Sequence, residues 1–414
     1  MNEQSRQKSQ FWVILIIVFL GFVGISMPYL IFPALFLNPD YSILPASWGE
    51  SSRAIYLGIT LAAYPFGQFL GSPILGSLSD DYGRKRLLSG SLLIAAFCNL
   101  LSGIAIQWQY LGLLILSRFT AGLMEGNIAI VRAMAADITA LSKHDTFGRI
   151  NAASSIAFLV GPLLGGLMAD KSLFAELTAS TPFYFICILF FGLTGLSLLM
   201  IKDSKTPSSP EERSFWQRIN LTHRLGVLFS NKRLKFLLIA STCFTLAVDI
   251  FYEFGPVYLT VKWDLNPAQL VFYNGALCLA LAIGNGWLPA IVSSRISKRM
   301  AVIYSILGFA FFLMGTVLTD STVLMMLLFT LSGLVIGLAV TLITVKISDS
   351  VPDAIQGEVM GVQISLRVLG DAFICLFGGA LLLLSAKLIL IAAAILSLAA
   401  MAYYAIRGPA ITLS

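Results

Sequence analysis

The chain has 414 residues, of which 57% are hydrophobic and only 12% are charged. A soluble domain carries about 25% charged residues, so this composition excludes an ordinary soluble protein and indicates one that crosses a membrane many times. The formal net charge is +6, but the basic residues are spread over short polar segments rather than gathered on one face. This distribution argues against a nucleic-acid partner and favours anionic membrane lipid.

A membrane-spanning helix needs about 20 mostly apolar residues to cross about 30 Å of hydrocarbon. Twelve runs meet this requirement, at 11–37, 55–78, 87–107, 111–136, 150–169, 182–201, 235–260, 269–293, 300–319, 322–345, 357–384 and 386–406. The longest polar interval separates them six and six. We therefore predict an all-α membrane protein with a six-helix bundle at 1–201, a cytoplasmic central loop at 202–234 and a second six-helix bundle at 235–414.

Orientation follows from the lysines and arginines of the short loops, because positive residues are retained on the cytoplasmic side. Of the 27 basic residues, only Arg53, Lys171, Lys262 and Lys387 fall in predicted outer loops. Both termini are therefore predicted to be cytoplasmic. We expect a multi-pass protein of a bacterial inner membrane that functions as a monomer.

The two predicted bundles repeat each other at a nearly constant spacing. Gly148–Pro162 matches Gly357–Asp371 at an offset of 209, and two glycines of the fourth run match two of the tenth at an offset of 211. The matched glycines are Gly122 and Gly126 in the fourth run and Gly333 and Gly337 in the tenth. A pair of parallel six-helix units normally encloses a substrate site near the middle of the membrane.

The segment Gly76–Arg86, GSLSDDYGRKR, lies between the second and third runs and places a charged hairpin at the membrane surface. With the repeat, this segment resembles the major facilitator superfamily of transporters, over essentially the whole chain. The resemblance implies that the hairpin acts as a gate against the second bundle. The residues at the family positions are Gly76, Asp80, Gly83, Arg84 and Lys85. The alternative is a loop that only sets the topology.

The fifth run contains GPLLGG, which resembles a motif of drug and proton antiporters within that superfamily. Pro162 removes a backbone donor and bends the helix, while Gly161, Gly165 and Gly166 permit close packing against a neighbouring helix. The alternative is a generic kinked helix, because glycine and proline are common in membrane spans.

Among antiporters, the tetracycline exporters are the family whose sequence segments this chain most resembles. The similar segments are Leu116–Gly122 (LSRFTAG), Met134–Thr139 (MAADIT) and Asp81–Ala96 (DYGRKRLLSGSLLIAA). Those exporters carry acidic residues in their first and third spans, whereas this chain has Gly21 and Cys98 there. Their substrate and proton chemistry therefore does not transfer directly.

A charge at mid-bilayer costs between about 2.5 and more than 10 kcal/mol, so an ionisable residue inside a span is a functional candidate. The fourth run carries Arg118, Glu125 and Arg132 at intervals of seven residues, which places all three on one face of a helix. Neighbours in this row are about 10 Å apart along the axis, so we expect their partners on other helices. The resemblance implies a role in proton coupling for Arg118.

The seventh and eleventh runs each carry two further ionisable residues. Asp249 and Glu253 lie one turn apart, and two like charges so close are expected to share one proton. Arg367 and Asp371 have the same spacing and can pair locally. We predict that these groups line a central water-filled cavity; the alternative is a set of structural salt bridges that lock helices together.

The candidate sites are therefore two overlapping sets. The predicted proton-coupling residues are Asp249, Glu253, Glu125, Asp371 and Arg118. The predicted substrate-binding residues are Arg132, Glu125, Arg367, Tyr29, Gln68, Tyr252, Tyr273, Asn274 and Gln363.

These features predict a proton-coupled secondary transporter that works by alternating access and exports a small organic molecule or drug. No enzyme activity is expected, because the chain has no phosphate-binding nucleotide loop and its only histidines, His144 and His223, lie in inner loops. No metal or cofactor is expected, since the five cysteines are isolated and the proton gradient supplies the energy. The alternatives are uptake of a polar or anionic metabolite such as a siderophore, and a membrane receptor or assembly partner that does not transport.

Overall fold

The computed structural model describes residues 3–38, 42–45, 47–136, 138, 143–169, 176–202, 232–348, 350 and 353–407. Every regular element within these residues is a helix. In chain order the helices are α1 (Glu3–Ser26), a 3₁₀ helix (Met27–Leu30), α2 (Phe32–Leu37), α3 (Glu50–Tyr82), α4 (Arg84–Gln107), α5 (Leu111–Met124), α6 (Asn127–Ala136), α7 (Lys143–Met168), α8 (Thr181–Met200), α9 (Lys232–Trp263), α10 (Pro267–Gly286), α11 (Leu288–Ser293), α12 (Lys298–Leu318), α13 (Thr322–Ser348), α14 (Asp353–Leu382) and α15 (Ala386–Arg407).

All twelve predicted runs are helical. Within the described residues, eleven segments are long and apolar enough to cross a membrane, from Gln7–Leu37 to Ala386–Ile406. The fifth predicted run corresponds to α7, whose apolar part, Ala152–Met168, is shorter than these eleven. The predicted all-α membrane fold is confirmed, whereas most of the predicted central loop, 202–234, lies outside the described residues.

Three of the runs are interrupted rather than straight. The first run changes to a 3₁₀ helix at Met27 and the eighth breaks at Trp287, in each case next to a proline, Pro28 or Pro289, that cannot continue the ladder of backbone hydrogen bonds. The fourth run breaks without a proline, at a turn formed by Glu125 and Gly126.

The chain divides into two compact units. The first unit comprises Met1–Ile219 with Asn266–Val271, and the second comprises Asn220–Leu265 with Phe272–Ser414. The helix pairs of the first unit are repeated in the second: α1 packs on α7 and α4 on α8, as α9 packs on α14 and α12 on α15. The repeat found in the sequence is thus a repeat of helix packing.

The matched glycines are the points where backbones come into contact. A Cβ atom at Gly122 would overlap the carbonyl oxygen of Tyr64 on α3, and one at Gly333 would overlap the carbonyl oxygen of Leu277 on α10. One turn later, a Cβ at Gly126 would lie 2.6 Å from the Gly71 carbonyl oxygen. Small residues at such contacts let helices associate in lipid, where no hydrophobic force drives them together.

Large apolar side chains on the outside of each unit remain exposed. Leu199 and Val323 are among the most exposed, in the first and the second unit respectively. Exposed apolar surface of this extent marks an interface with lipid or protein, and the helix lengths identify it as lipid. Inside the first unit, Phe11, Ile14, Leu88, Ile130 and Phe190 belong to one buried apolar core.

We expect Gly122→Ala and Gly333→Ala each to destabilise the protein by about 1–3 kcal/mol, because the added methyl group forces two backbones apart. The measurement is the midpoint of thermal unfolding of the purified protein in detergent. Gly192→Ala is the matched control, since nothing lies within 4 Å of a Cβ at that position in α8. Equal midpoints for the three variants would contradict the close backbone contact.

Candidate functional site

The charged hairpin between the second and third runs is a sharp corner at Gly83. Helix α3 ends at Tyr82 and α4 begins at Arg84, and Gly83 between them has φ = 94°, a conformation that residues with a side chain rarely adopt. The guanidinium of Arg84 donates a 2.8 Å hydrogen bond to the carbonyl oxygen of Ala133 on α6. Gly76 faces Ala129 of α6, Lys85 is half-buried, and the side chain of Asp80 lies outside the described residues.

The antiporter-like motif packs against the end of α1. A Cβ at Gly161 would lie 2.6 Å from the Val23 carbonyl oxygen, and one at Gly165 would overlap the carbonyl oxygen of Met27. Pro162 and Gly166 are buried within the same helix, α7. The predicted close packing of this motif is therefore present, and its partner is the first span.

Arg118 lies inside the first unit and is surrounded by aromatic rings. Its side chain projects from α5 and the residue is 5% exposed. The guanidinium carbon lies 4.4 Å from the ring centre of Tyr64, 5.6 Å from that of Phe32 and 5.9 Å from that of Phe183. Cation–π contacts of this kind stabilise a desolvated guanidinium, but its Nε has no hydrogen-bond partner among the described residues.

Glu125 lies at the break of the fourth span, two helical turns from Arg118. It is 5% exposed, and it is within hydrogen-bonding reach of the Tyr64 hydroxyl. Its Oε2 atom is buried and has no hydrogen-bond partner among the described residues. The expectation that the charges of this row find partners on other helices is met by Tyr64 of α3 for both residues.

A small cavity, here called the α5 cavity, lies beside Arg118 and Glu125. Its volume is about 10 Å³, and its polar lining consists of Tyr64, Asn99, Arg118, Glu125 and Asn127. Asn99 and Asn127 were not among the predicted site residues, although an amide in an otherwise apolar span is a signal that could have found them. Tyr64 carries a signal of the same kind, because it is a polar-tipped side chain in an otherwise apolar span.

In the second unit, Asp249 and Arg367 form an ion pair between α9 and α14. Arg367 donates from Nε to Oδ2 at 2.9 Å and from Nη2 to Oδ1 at 2.6 Å. The Asp249 side chain is only 4% exposed, whereas that of Arg367 is 51% exposed. The sequence spacing allows a local pair of Arg367 with Asp371; the ion pair in the structure joins Arg367 to Asp249 on another helix.

Two more carboxylates lie next to this ion pair. One carboxylate oxygen each of Glu253 and Asp371 and the sulfur of Cys375 lie within 4.8 Å of one another. The Cys375 thiol is 4.0 Å from Asp371 Oδ1. Asp371 interacts electrostatically with both Asp249 and Arg367. The structure therefore brings together four of the predicted residues of the seventh and eleventh runs.

The remaining predicted residues are less closely associated. Tyr29 interacts electrostatically with Arg118, and Tyr252 with Asp249 and Arg367. Gln363 donates a 2.6 Å hydrogen bond to Ser241, and Tyr273 packs edge-on against Phe329.

Among the described residues, three members of the predicted substrate set form no hydrogen bond or ion pair with either cluster. The Nδ2 atom of Asn274 is buried without a partner among the described residues. Gln68 of α3 and Arg132 of α6 are half-buried. Their role in substrate binding stays a prediction.

We expect Arg367→Gln to destabilise the protein by about 3 kcal/mol, because it leaves the buried Asp249 carboxylate without its partner. Asp249→Asn should cost less, since the half-exposed Arg367 can find other partners. The measurement is again the thermal unfolding midpoint in detergent. The double variant Asp249→Asn/Arg367→Gln should recover most of the loss of Arg367→Gln, and a double variant as unstable as that single variant would refute the coupling.

Comparison with known proteins supplies the family. The family model described as Major Facilitator Superfamily matches residues 14–374. The class H tetracycline resistance protein of Pasteurella multocida is 27% identical over 361 residues, covering 86% of this chain and 84% of that protein. Multidrug resistance protein 2 of Bacillus subtilis (strain 168) is 28% identical over 202 residues, covering 48% of this chain and 46% of that protein.

Solved structures share the same fold. The crystal structure of the human organic anion transporter MFSD10 (TETRAN) aligns with a TM-score of 0.68 at 17% identity, covering 98% of this chain and 100% of that chain. The helical architecture and the family match over most of the chain agree on the same family. The chain belongs to the Major Facilitator Superfamily and is a multi-pass membrane transporter of small molecules rather than an enzyme.

Proposed function

We propose that this transporter exports a small organic molecule in exchange for protons. The observation that carries the proposal is the buried Glu125, which lies beside Tyr64 and Arg118 with one carboxylate oxygen unpartnered among the described residues. A carboxyl group that is buried away from water can switch between its neutral and charged forms, whereas arginine stays charged. In a transporter, a carboxyl group held in this way is a natural site for the coupling proton.

The second unit offers another place for a proton. Because Arg367 binds Asp249 through two hydrogen bonds, Asp249 is held as the carboxylate partner of an arginine. Glu253 and Asp371 lie close together beside that ion pair, and two carboxyl groups so close tend to share a proton. Within this cluster we therefore assign proton exchange to Glu253 and Asp371, with Asp249 as their neighbour.

Export is supported by the relatives and by the fifth span. The class H protein is named for resistance to tetracycline, and resistance by a transporter requires removal of the drug from the cell. The contact of Gly161 and Gly165 with the end of α1 is the packing expected of the antiporter motif. The proposed setting is a bacterial inner membrane, with both termini in the cytoplasm, a functional monomer and the proton gradient as the only energy source.

A second candidate function is the uptake of an organic anion. The half-exposed guanidinium of Arg367 favours it, because an accessible arginine can bind a carboxylate or phosphate of a substrate. Its pairing with Asp249 weakens this option, since the positive charge is already neutralised.

The direct test is transport into inside-out membrane vesicles that contain the protein. Tetracycline and a quinolone are the first probes, with a labelled dicarboxylate to represent anions. We expect a proton gradient to drive accumulation of at least one of the two drugs, and a protonophore to abolish it. Accumulation that persists without the gradient would overturn proton coupling, and counterflow of the dicarboxylate alone would favour the second function.

We expect Glu125→Gln to lower gradient-driven accumulation at least about tenfold while substrate counterflow stays within about twofold, because exchange of substrate needs no net proton movement. Glu50→Gln, at an exposed glutamate that begins α3, is the matched control and should behave as the unchanged protein. Normal gradient-driven transport by Glu125→Gln would remove Glu125 from the mechanism.

A further inference from the structure

We propose that the second unit binds the headgroup of an anionic phospholipid where α12 begins, and that Arg299 holds the lipid phosphate. The site uses none of the residues assigned to transport, so it does not depend on the proposed function. Three observations support it: the helix ends that meet there, their charge, and the apolar surface beside them.

Four helices of the second unit meet around Tyr404, near the end of α15. Lys346 of α13 is buried and donates a 2.9 Å hydrogen bond to the Tyr404 hydroxyl. Phe236 of α9 stacks on the Tyr404 ring with the ring centres 5.8 Å apart. Arg299 of α12 donates a 2.6 Å hydrogen bond from Nη2 to the carbonyl oxygen of Ala405. Two cations, Arg299 and Lys346, are thus held at the same end of the bundle.

This end of the bundle lies at a membrane surface. Helix α12 has 21 residues and α15 has 22, so at 1.5 Å per residue each is about 30 Å long, the thickness of the hydrocarbon layer. Arg299 is in the first turn of α12, and its hydrogen bond to Ala405 places the last turn of α15 at the same depth. The guanidinium therefore lies at the level of the lipid phosphates, on the side predicted to be cytoplasmic.

The charges of α12 and α15 are all positive. No aspartate or glutamate occurs in 265–319 or in 372–414, the stretches that contain these two helices. Beside Arg299, the turn into α12 and its first residue supply the exposed Arg295 and Lys298. Lys346 adds a further positive charge from α13. Basic pockets between helices at this level are the kind of site that binds anionic lipid headgroups.

Arg299 is positioned by its hydrogen bond but is not neutralised. The bond to Ala405 uses one of the five N–H donors of a guanidinium, and within the described residues its side chain makes no other hydrogen bond and no ion pair. A guanidinium fixed in this way still offers a pair of donors, which match two oxygens of a phosphate. A zwitterionic headgroup would bring its own ammonium group next to these cations, so the charge favours a lipid whose headgroup carries only the phosphate charge.

Apolar side chains on both helices provide a surface for the acyl chains. Each helix carries exposed apolar side chains at intervals of about one or two helical turns, which places them on one face. They are Met300, Tyr304 and Phe311 on α12, and Ile395, Leu398 and Ile406 on α15. A 3.2 Å hydrogen bond from Ser397 to the Ile306 carbonyl oxygen joins the two helices further along. A lipid whose phosphate is bound by Arg299 can lay its chains along this surface.

The test measures lipid binding to the purified full-length protein by native mass spectrometry. The protein in detergent is titrated with phosphatidylglycerol, whose headgroup is anionic, and with phosphatidylcholine of the same acyl chains, whose headgroup is zwitterionic. Arg299→Gln removes the proposed phosphate ligand. Lys387→Gln is the matched control, because it removes the same charge from an exposed lysine at the opposite end of α15.

We expect phosphatidylglycerol to bind more tightly than phosphatidylcholine. Arg299→Gln should weaken phosphatidylglycerol binding about fivefold, the effect of one basic residue at an anionic surface. Lys387→Gln should stay within about twofold of the unchanged protein, because a charge at the other end of the helix is screened. If Arg299→Gln does not fold, the double variant Arg295→Gln/Lys298→Gln, at two exposed positions, should weaken binding by a similar factor.

Two outcomes would overturn the lipid site. Equal affinity for the two lipids, or an equal loss in Arg299→Gln and Lys387→Gln, would show that no specific headgroup site exists at Arg299. Displacement of phosphatidylglycerol by inorganic phosphate at the same concentration would assign the site to a soluble anion instead of a lipid. Neither outcome affects proton-coupled transport, which Glu125→Gln tests separately.

Discussion

The structure depends on one constraint: a charge buried among membrane-spanning helices must be compensated by groups close to it. The first unit meets this constraint for Arg118 with three aromatic faces rather than with a salt bridge. The second unit meets it for Asp249 with a two-point ion pair to Arg367. The two units differ in the polar atoms that remain without a partner. In the first, Glu125 Oε2 and Arg118 Nε have no hydrogen-bond partner among the described residues. In the second, both carboxylate oxygens of Asp249 accept hydrogen bonds from Arg367.

The two units share a scaffold but not a chemistry. Gly122 and Gly333 bring corresponding helices into backbone contact, so the packing has been kept in both halves. The ionisable groups have not been kept in corresponding places: in the first unit they lie on the helices of the second and fourth spans, and in the second unit on those of the seventh and eleventh. Duplication therefore accounts for the shared scaffold, and the ionisable residues are what distinguishes the halves.

Much of the fold could be predicted from the sequence because its causes are local. Apolar length sets each span, and Pro289 marks the break of the eighth. The break at Glu125 has no such local marker, since neither it nor Gly126 forbids a helix. The partner of Arg367 was also beyond local reasoning: spacing favours Asp371 on the same helix, but the neighbouring helix presents Asp249 within 2.6 Å. Which residues meet between two helices depends on how each helix is rotated about its axis and how deep it lies. No short pattern in a single sequence encodes these two quantities.

The break in the fourth span divides it into two helices, α5 and α6. The second helix, α6, has ten residues and a length of about 15 Å. It begins next to the Glu125 carboxylate, and near its far end the Ala133 carbonyl oxygen is held by Arg84 of the hairpin corner. Because one end of α6 adjoins Glu125 and the other is tied to Arg84, a single helix of ten residues joins the buried acid to the charged hairpin.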